Sequence, residues 1–492
     1  MNIFKKLAGE TAVYGLSSIV GRFLNFLLIP IYTRKLDPEE FGVYTEMYTY
    51  VTFLLPLFTY GMETAFFRFY NNENNKVKVY NSIFSTLLIS TSVLTFGGMF
   101  FNQNIADVLG YGNYTFLISG ILFITVFDIL STIPFAKLRS ENKALKFAGI
   151  KIFGILLNIL LNLFFILLCP ILAKGDGGLA VFIQSFYRSD FGVGYILISN
   201  LVPSGLIFLW LLIDSLPLKF SIDAELMRKV WPFALPMLLI GLAGTVNETI
   251  DRLMLKYMLP ANESLYQLGI YSACYRISMF MTILIQAYRF AAEPFFFDQA
   301  SKADSKQTYA RLMNYFVALT SIIFLLITLF QDIFIQFIGK EFHAGKDVIP
   351  ILLLANLMLG IYFNLSVWYK ISTKTIYGSI VSGIGAALTI TLNFILIPIL
   401  GYMGSAWTTL LVYTTMVVLS YYFGKKHFPI PYDLSTIFSY LALSLILFFT
   451  FKITEPQWIV LKYTYATAIL LGFGFYVVKK EGFHSFIKTK TL

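Results

Sequence analysis

The chain has 492 residues, of which 57% are hydrophobic and only 13% charged, with 50 Phe, 31 Tyr and a net charge of +10; its mean hydropathy is +0.73. A water-soluble chain of this length does not carry such a composition, which excludes a globular soluble enzyme and points to an all-α polytopic membrane protein. Two cysteines exclude a disulfide framework, and the excess of Lys and Arg follows the loops rather than one patch, so it points to membrane topology and not to nucleic acid.

Stretches of about 20 mainly apolar residues, the length that crosses a bilayer as a helix, recur from end to end. About fourteen are expected, near 11–33, 43–66, 80–101, 113–136, 147–170, 191–213, 231–256, 267–291, 311–330, 347–368, 376–398, 401–423, 433–451 and 458–478. The first contains Arg22 and no small-residue cleavage site, so it reads as a retained helix rather than a signal peptide. Basic residues alternate by loop: Lys5 and Lys6, then Lys137, Arg139, Lys143 and Lys146, then Lys425 and Lys426, then Lys479 and Lys480. By that bias roughly 23 Lys and Arg lie inside against roughly 9 outside, which places both termini in the cytoplasm.

An internal repeat organises these segments. "FGVYTEMY" (41–48) recurs as "LGIYSACY" (268–275), "GMETAFFRFYN" with Glu63 as "AAEPFFFDQA" with Glu293, and "NLFFILLCP" as "NFILIP". The offset stays near roughly 230 residues, and six helices per copy make the repeat parallel. Two lobes are expected, residues 1–213 (helices 1–6) and 231–424 (helices 7–12), joined by a cytoplasmic linker at 214–230 and followed by helices 13–14 and a tail at 425–492. An insertion, "ILAKGDGGLAVFIQSFYRSD", reads as a periplasmic loop before the sixth helix.

Charged side chains at membrane depth cost about 2.5 to 3.5 kcal/mol each, so they face a partner or a wet cavity. In the first segment Arg22 and Asn25 share one face, and in the second Glu46 and Glu63 do. The seventh lines up Asn247, Glu248, Asp251 and Arg252, and the eighth carries Arg276, Arg289 and Glu293. Arg22, Arg252 and Arg276 suit an anionic guest, because guanidinium binds phosphate bidentately and keeps its charge. Asn25, Glu46, Asn247, Glu248 and Asp251 are candidates for cavity polarity or ion coupling. Glu63, Arg289 and Glu293, at cytoplasmic helix ends, are candidates for a gate. Two bland readings stand beside these: Glu248 and Arg252, spaced i, i+4, can pair with each other, and Asp251 can neutralise Arg276. Asn393 either hydrogen-bonds between helices or serves an ion site with Thr389. No phosphate-binding glycine loop, "HExxH", or cysteine and histidine pair at metal spacing occurs, so no catalytic or metal-ligating residue is nominated.

The order of "GRFLNFLLIPIYTRKLDPEEFGVY", "NETIDRLMLKYML" with "LGIY", and "LNFILIPILGYMGSA" resembles the polysaccharide-transporter, oligosaccharide-flippase branch of the multidrug/oligosaccharidyl-lipid/polysaccharide exporter superfamily, over nearly the whole chain. The resemblance implies two lobes in a V-shaped alternating-access arrangement with a cationic cavity that holds a pyrophosphate. It implies translocation of a lipid-linked oligosaccharide, undecaprenyl-pyrophosphate carrying an O-antigen or capsule repeat unit, from the cytoplasmic to the periplasmic face. Arg22, Arg252 and Arg276 match its cavity arginines, Asp251 matches an acidic position, and helices 13 and 14 would border the lipid tail. The serine-arginine pattern of lipid II flippases is absent, since Gly21 precedes Arg22 and Asn25 follows. No cofactor is expected; Na+ or H+ are the candidate coupling ions, and lipid-linked oligosaccharide, membrane lipids and polymerase or export machinery the candidate partners. A cation-coupled drug or metabolite antiporter of the same fold is the alternative, which a midplane arginine disfavours. A polysaccharide polymerase would need a large outer loop, and none exceeds about 25 residues.

Overall fold

The computed structural model describes residues 19–481, apart from 74, 176, 217, 218, 301 and 303. Among them every regular element is helical, and twelve helices are long and apolar enough to cross a bilayer. The two remaining expected segments differ from a simple span for identifiable reasons. Residues 19–26 (α1) and Ile29–Lys35 (α2) are separated by a turn at Leu27 and Leu28. Pro30, in the first turn of α2, has no N–H to carry the ladder across. The stretch expected as one helix over 43–66 is Pro38–Thr59 (α3) followed by Met62–Asn72 (α4). Asp37 caps α3 with a reciprocal box: its side chain accepts the Glu40 N–H at 2.8 Å, and Glu40 accepts the Asp37 N–H at 3.3 Å. Tyr60 and Gly61 end it at φ of 54° and 69°. A Cβ at Gly61 would stand 2.5 Å from the Ala234 carbonyl oxygen, so glycine is required there twice over.

Lys76–Phe100 (α5), Thr115–Ser140 (α6), Ala144–Asn162 (α7), Val193–Asp214 (α8) and Ala224–Met258 (α9) follow. α7 continues through a π-helical turn at Leu163–Leu168 ahead of Pro170, whose missing N–H leaves a carbonyl of the preceding turn unpaired. The insertion expected as a loop contains a short helix, Gly178–Gln184, with Leu179, Val181 and Phe182 exposed. The later helices are Ala261–Gln299 (α10), Ser305–Leu329 (α11), Val348–Leu365 (α12), Ile376–Leu400 (α13), Tyr402–His427 (α14), Leu434–Thr454 (α15) and Ile459–Lys480 (α16).

The chain divides into two compact units, Met1–Ser272 with Asn393–Gly401, and Ala273–Leu392 with Tyr402–Leu492. α9 stays with the first because Val230 and Ala234 share a core with Met62, Phe66, Ile83 and Ile133 from α4, α5 and α6. Within this unit the repeated motifs meet. A side chain at Gly42 would run into the Leu265 carbonyl oxygen, and one at Gly269 into that of Pro38, so α3 and the start of α10 approach backbone to backbone.

The second unit is centred on aromatic packing. Trp368 is fully buried and donates its indole N–H to the Ser420 carbonyl at 3.1 Å. α15 and α16 pack on the α11 end of this unit through Phe448 against Phe324 and Tyr463 against Phe330, each at 5.8 Å between ring centroids. Phe438, Phe449, Leu471 and Phe475 remain exposed on them, the surface a bilayer would cover.

Candidate functional site

Three groups of ionisable side chains lie within the first unit. Glu46, fully buried on α3, accepts the Tyr50 hydroxyl at 2.7 Å and the Tyr111 hydroxyl at 2.5 Å, with the Lys256 ammonium 3.7 Å from Oε2. Lys256 also lies 5.4 Å from the Tyr111 ring, and Tyr50 hydrogen-bonds Tyr257. This carboxylate has its charge balanced and both oxygens occupied, which makes it a clasp between α3, the turn just before α6 and the end of α9. Sequence reasoning nominated Glu46 but missed Tyr111 and Lys256, which lie 65 and 210 positions away and carry no local signal.

The second group answers part of the charge problem in "NETIDRLMLKYML". Asp251, 4% exposed, accepts the Tyr271 hydroxyl at 2.5 Å and Arg252 Nη1 at 3.0 Å. Arg252 also donates to the Glu248 main-chain carbonyl at 2.6 Å. Arg252 thus meets Glu248 through the backbone and pairs with the adjacent Asp251, whose carboxylate is held in place by Tyr271. The carboxylate of Glu248 is left exposed, and Asn247 is partly buried.

The third group is open. Arg22 and Asn25 are exposed on α1, and Arg22 makes no ion pair or hydrogen bond among the described residues. Asp128, halfway along α6, faces Ser204 and Lys151 without forming an ion pair among the described residues. Lys151 lies about 10 Å along α7 from its start, at 1.5 Å per residue. Its ammonium stands 5.0 Å from the Phe135 ring and 5.4 Å from the Phe147 ring. Ring faces contribute about 0.5 to 2 kcal/mol to a cation. A charge at membrane depth costs about 2.5 to 3.5 kcal/mol, so the rings offset only part of it. Lys151 was not singled out from sequence, because a lysine near a helix end reads as one that snorkels to the surface.

The nominated gate residues are paired inside their own units. Glu63 meets Arg139 at 3.0 Å in the first unit, both about half exposed. In the second, Glu293 pairs with Lys370 and lies 3.9 Å from Arg289, whose guanidinium stacks 3.9 Å above the Phe363 ring. Arg276, partly buried in the second unit, contacts Met279 Sδ at 3.5 Å and has no carboxylate partner among the described residues. Asn393 is fully buried, and neither side-chain polar atom has a hydrogen-bond partner among the described residues.

Comparison with known proteins adds a lineage to this geometry. Residues 7–300 match the family described as polysaccharide biosynthesis protein. The capsular polysaccharide biosynthesis protein CapF of Staphylococcus aureus is 22% identical over 431 residues, covering 84% of this chain and 98% of that protein. Among solved structures, the lipid II flippase MurJ in an inward closed conformation matches with a TM-score of 0.67 at 15% identity, over 95% of this chain and 99% of that one. An inward-facing multidrug resistance MATE family transporter of the MOP superfamily matches with a TM-score of 0.64 at 14% identity, over 88% and 99%. At these identities the structural likeness establishes the fold, an all-α polytopic membrane architecture shared with transporters.

Proposed function

We propose a function from one premise: the chain belongs to the polysaccharide biosynthesis protein family. It is a multi-pass membrane protein with the fold of a lipid II flippase, and its activity is to translocate a lipid-linked saccharide. The cargo in this reading is an undecaprenyl-pyrophosphate-linked repeat unit of a capsule or O-antigen, moved from the cytoplasmic to the periplasmic face of the inner membrane. Similarity to CapF supports the capsule.

The observation that carries the reading is Arg22, an exposed guanidinium within an apolar segment and with no anionic partner among the described residues. A diphosphate supplies that anion, and guanidinium holds it bidentately without losing its own charge. Arg252 is released from Asp251 when the anion arrives; in the second unit Arg276 has no carboxylate partner among the described residues. Glu248 and Asp251 then balance the cavity or take up the Na+ or H+ that drives the cycle. The two six-helix copies alternate access, with both termini in the cytoplasm, and the delivered lipid passes to polymerase and export machinery. The chain is in this reading a transporter and not an enzyme.

Lipid analysis of cells lacking the protein tests this. Undecaprenyl-pyrophosphate oligosaccharide should accumulate on the cytoplasmic face, clear with the wild-type chain and persist with Arg22→Ala. Unchanged glycan export together with new sensitivity to cationic dyes would instead establish the antiporter reading, which likeness to the MATE transporter supports and an open arginine opposes.

A further inference from the structure

The charged groups left over from this reading adjoin Arg22 within the first unit. Gly21 sets their spacing: it is buried against α7, where a Cβ would stand 2.6 Å from Ile155 Cδ1. Ile155 lies one turn beyond Lys151 on the same face of that helix. The close approach of α1 therefore brings Arg22 within electrostatic range of Lys151, where its charge acts on the ammonium more weakly than that of Arg139. None of the three N–H donors of Lys151 reaches an acceptor among the described residues. The acids that act on it are Asp128, which does not close into a pair, and Glu63, which is already paired with Arg139 at 3.0 Å. Two cations in range of each other, with a carboxylate that acts on Lys151 but does not close into a pair, are costly when empty and suited to a guest with two linked anionic groups.

We propose that Arg22 and Lys151 form a two-cation subsite for a diphosphate, each taking one phosphate, with Asp128 balancing Lys151 while the subsite is empty. This rests on the lipid-linked oligosaccharide reading above and deepens it: the subsite selects a diphosphate carrier over a monophosphate carrier, because a single phosphate engages only one cation. Phe135 and Phe147, packed edge to face at 5.2 Å, hold the ammonium in position without supplying an anion.

The test titrates the purified full-length chain with undecaprenyl diphosphate and, separately, undecaprenyl monophosphate, following tryptophan fluorescence. The wild type should prefer the diphosphate by about tenfold or more, the equivalent of one charge-assisted contact. Lys151→Met should bring that ratio to near one, and Lys151→Arg should preserve it. Arg22→Ala should weaken both lipids. Asp128→Asn should tighten the diphosphate, a gain that misfolding cannot produce. A Lys151→Met protein that keeps the wild-type ratio, or an Asp128→Asn protein that loses affinity for both lipids, overturns the subsite. A wild type indifferent to the second phosphate overturns the subsite and leaves the flippase reading standing, whereas one that binds neither lipid overturns both.

Discussion

Glu46 and Lys151 are charged groups of one unit, each set in a helix that should lie in hydrocarbon, and they are treated in opposite ways. Glu46 is closed off by two tyrosine hydroxyls and Lys256. Lys151 has two aromatic rings, a neighbouring cation and an acid that stays apart. The cost of a charge at depth is met by the chain itself in the first place, and left for something else to meet in the second. A depth argument applied to the sequence cannot separate these cases, since both residues look equally expensive there.

Substitutions can break this comparison, and the largest effect should come from the clasp. Glu46→Ala leaves Lys256, 15% exposed, without its anion, and should destabilise the protein by about 3 to 5 kcal/mol, the usual cost of a buried charge losing its partner. Thermal unfolding in detergent reads this, and adding Lys256→Met should recover most of the loss; a double variant no more stable than the single one would mean the clasp is not electrostatic. Gly42→Leu comes next, at about 1 to 3 kcal/mol for overpacking against the Leu265 carbonyl. Gly269→Leu should cost a similar amount, since the two motifs press on each other reciprocally.

Arg139→Ala should cost only about 0.2 to 1 kcal/mol, because its pair with Glu63 is half exposed, and the cost should shrink in high salt. The exposed cap of α9 should show a small pH effect. Asp223 is held below the usual carboxylate range by its hydrogen bond from Lys78, and by the Leu226 N–H. A lowered folded pKa contributes stability above the unfolded value and loses it as pH falls through the folded one. Asp223→Asn should therefore narrow the gap between neutral and acid stability, measured as unfolding midpoint against pH. Arg22→Ala should move stability least, by less than about 0.5 kcal/mol, because nothing in the fold leans on that side chain. It should nonetheless abolish clearance of the accumulated lipid in cells. A large loss of stability in that variant would show that Arg22 belongs with Glu46, as part of the scaffold.

Much of the architecture was legible in the chain because the signals are local. Apolar runs of spanning length are decided by residues near one another. The breaks at Leu27 and Leu28 and at Tyr60 and Gly61 were less visible, since a proline or glycine inside an apolar run marks a kink as readily as a stop. The grouping of α9 with the first unit was not visible, because the repeat reports where helices correspond and not where their side chains pack.

By itself, the sequence determined that this is a membrane protein of many helices with charges set at depth, for hydropathy accumulates along the chain and needs no partner. Tertiary structure decided which of those charges are already answered. Glu46 meets Tyr111 and Lys256, and Asp251 meets Tyr271, across intervals of 20 to 210 residues, while Gly21 brings Arg22 to Lys151 and leaves both open. Neutralisation is a property of distance in space, and at such separations sequence position carries almost no information about it.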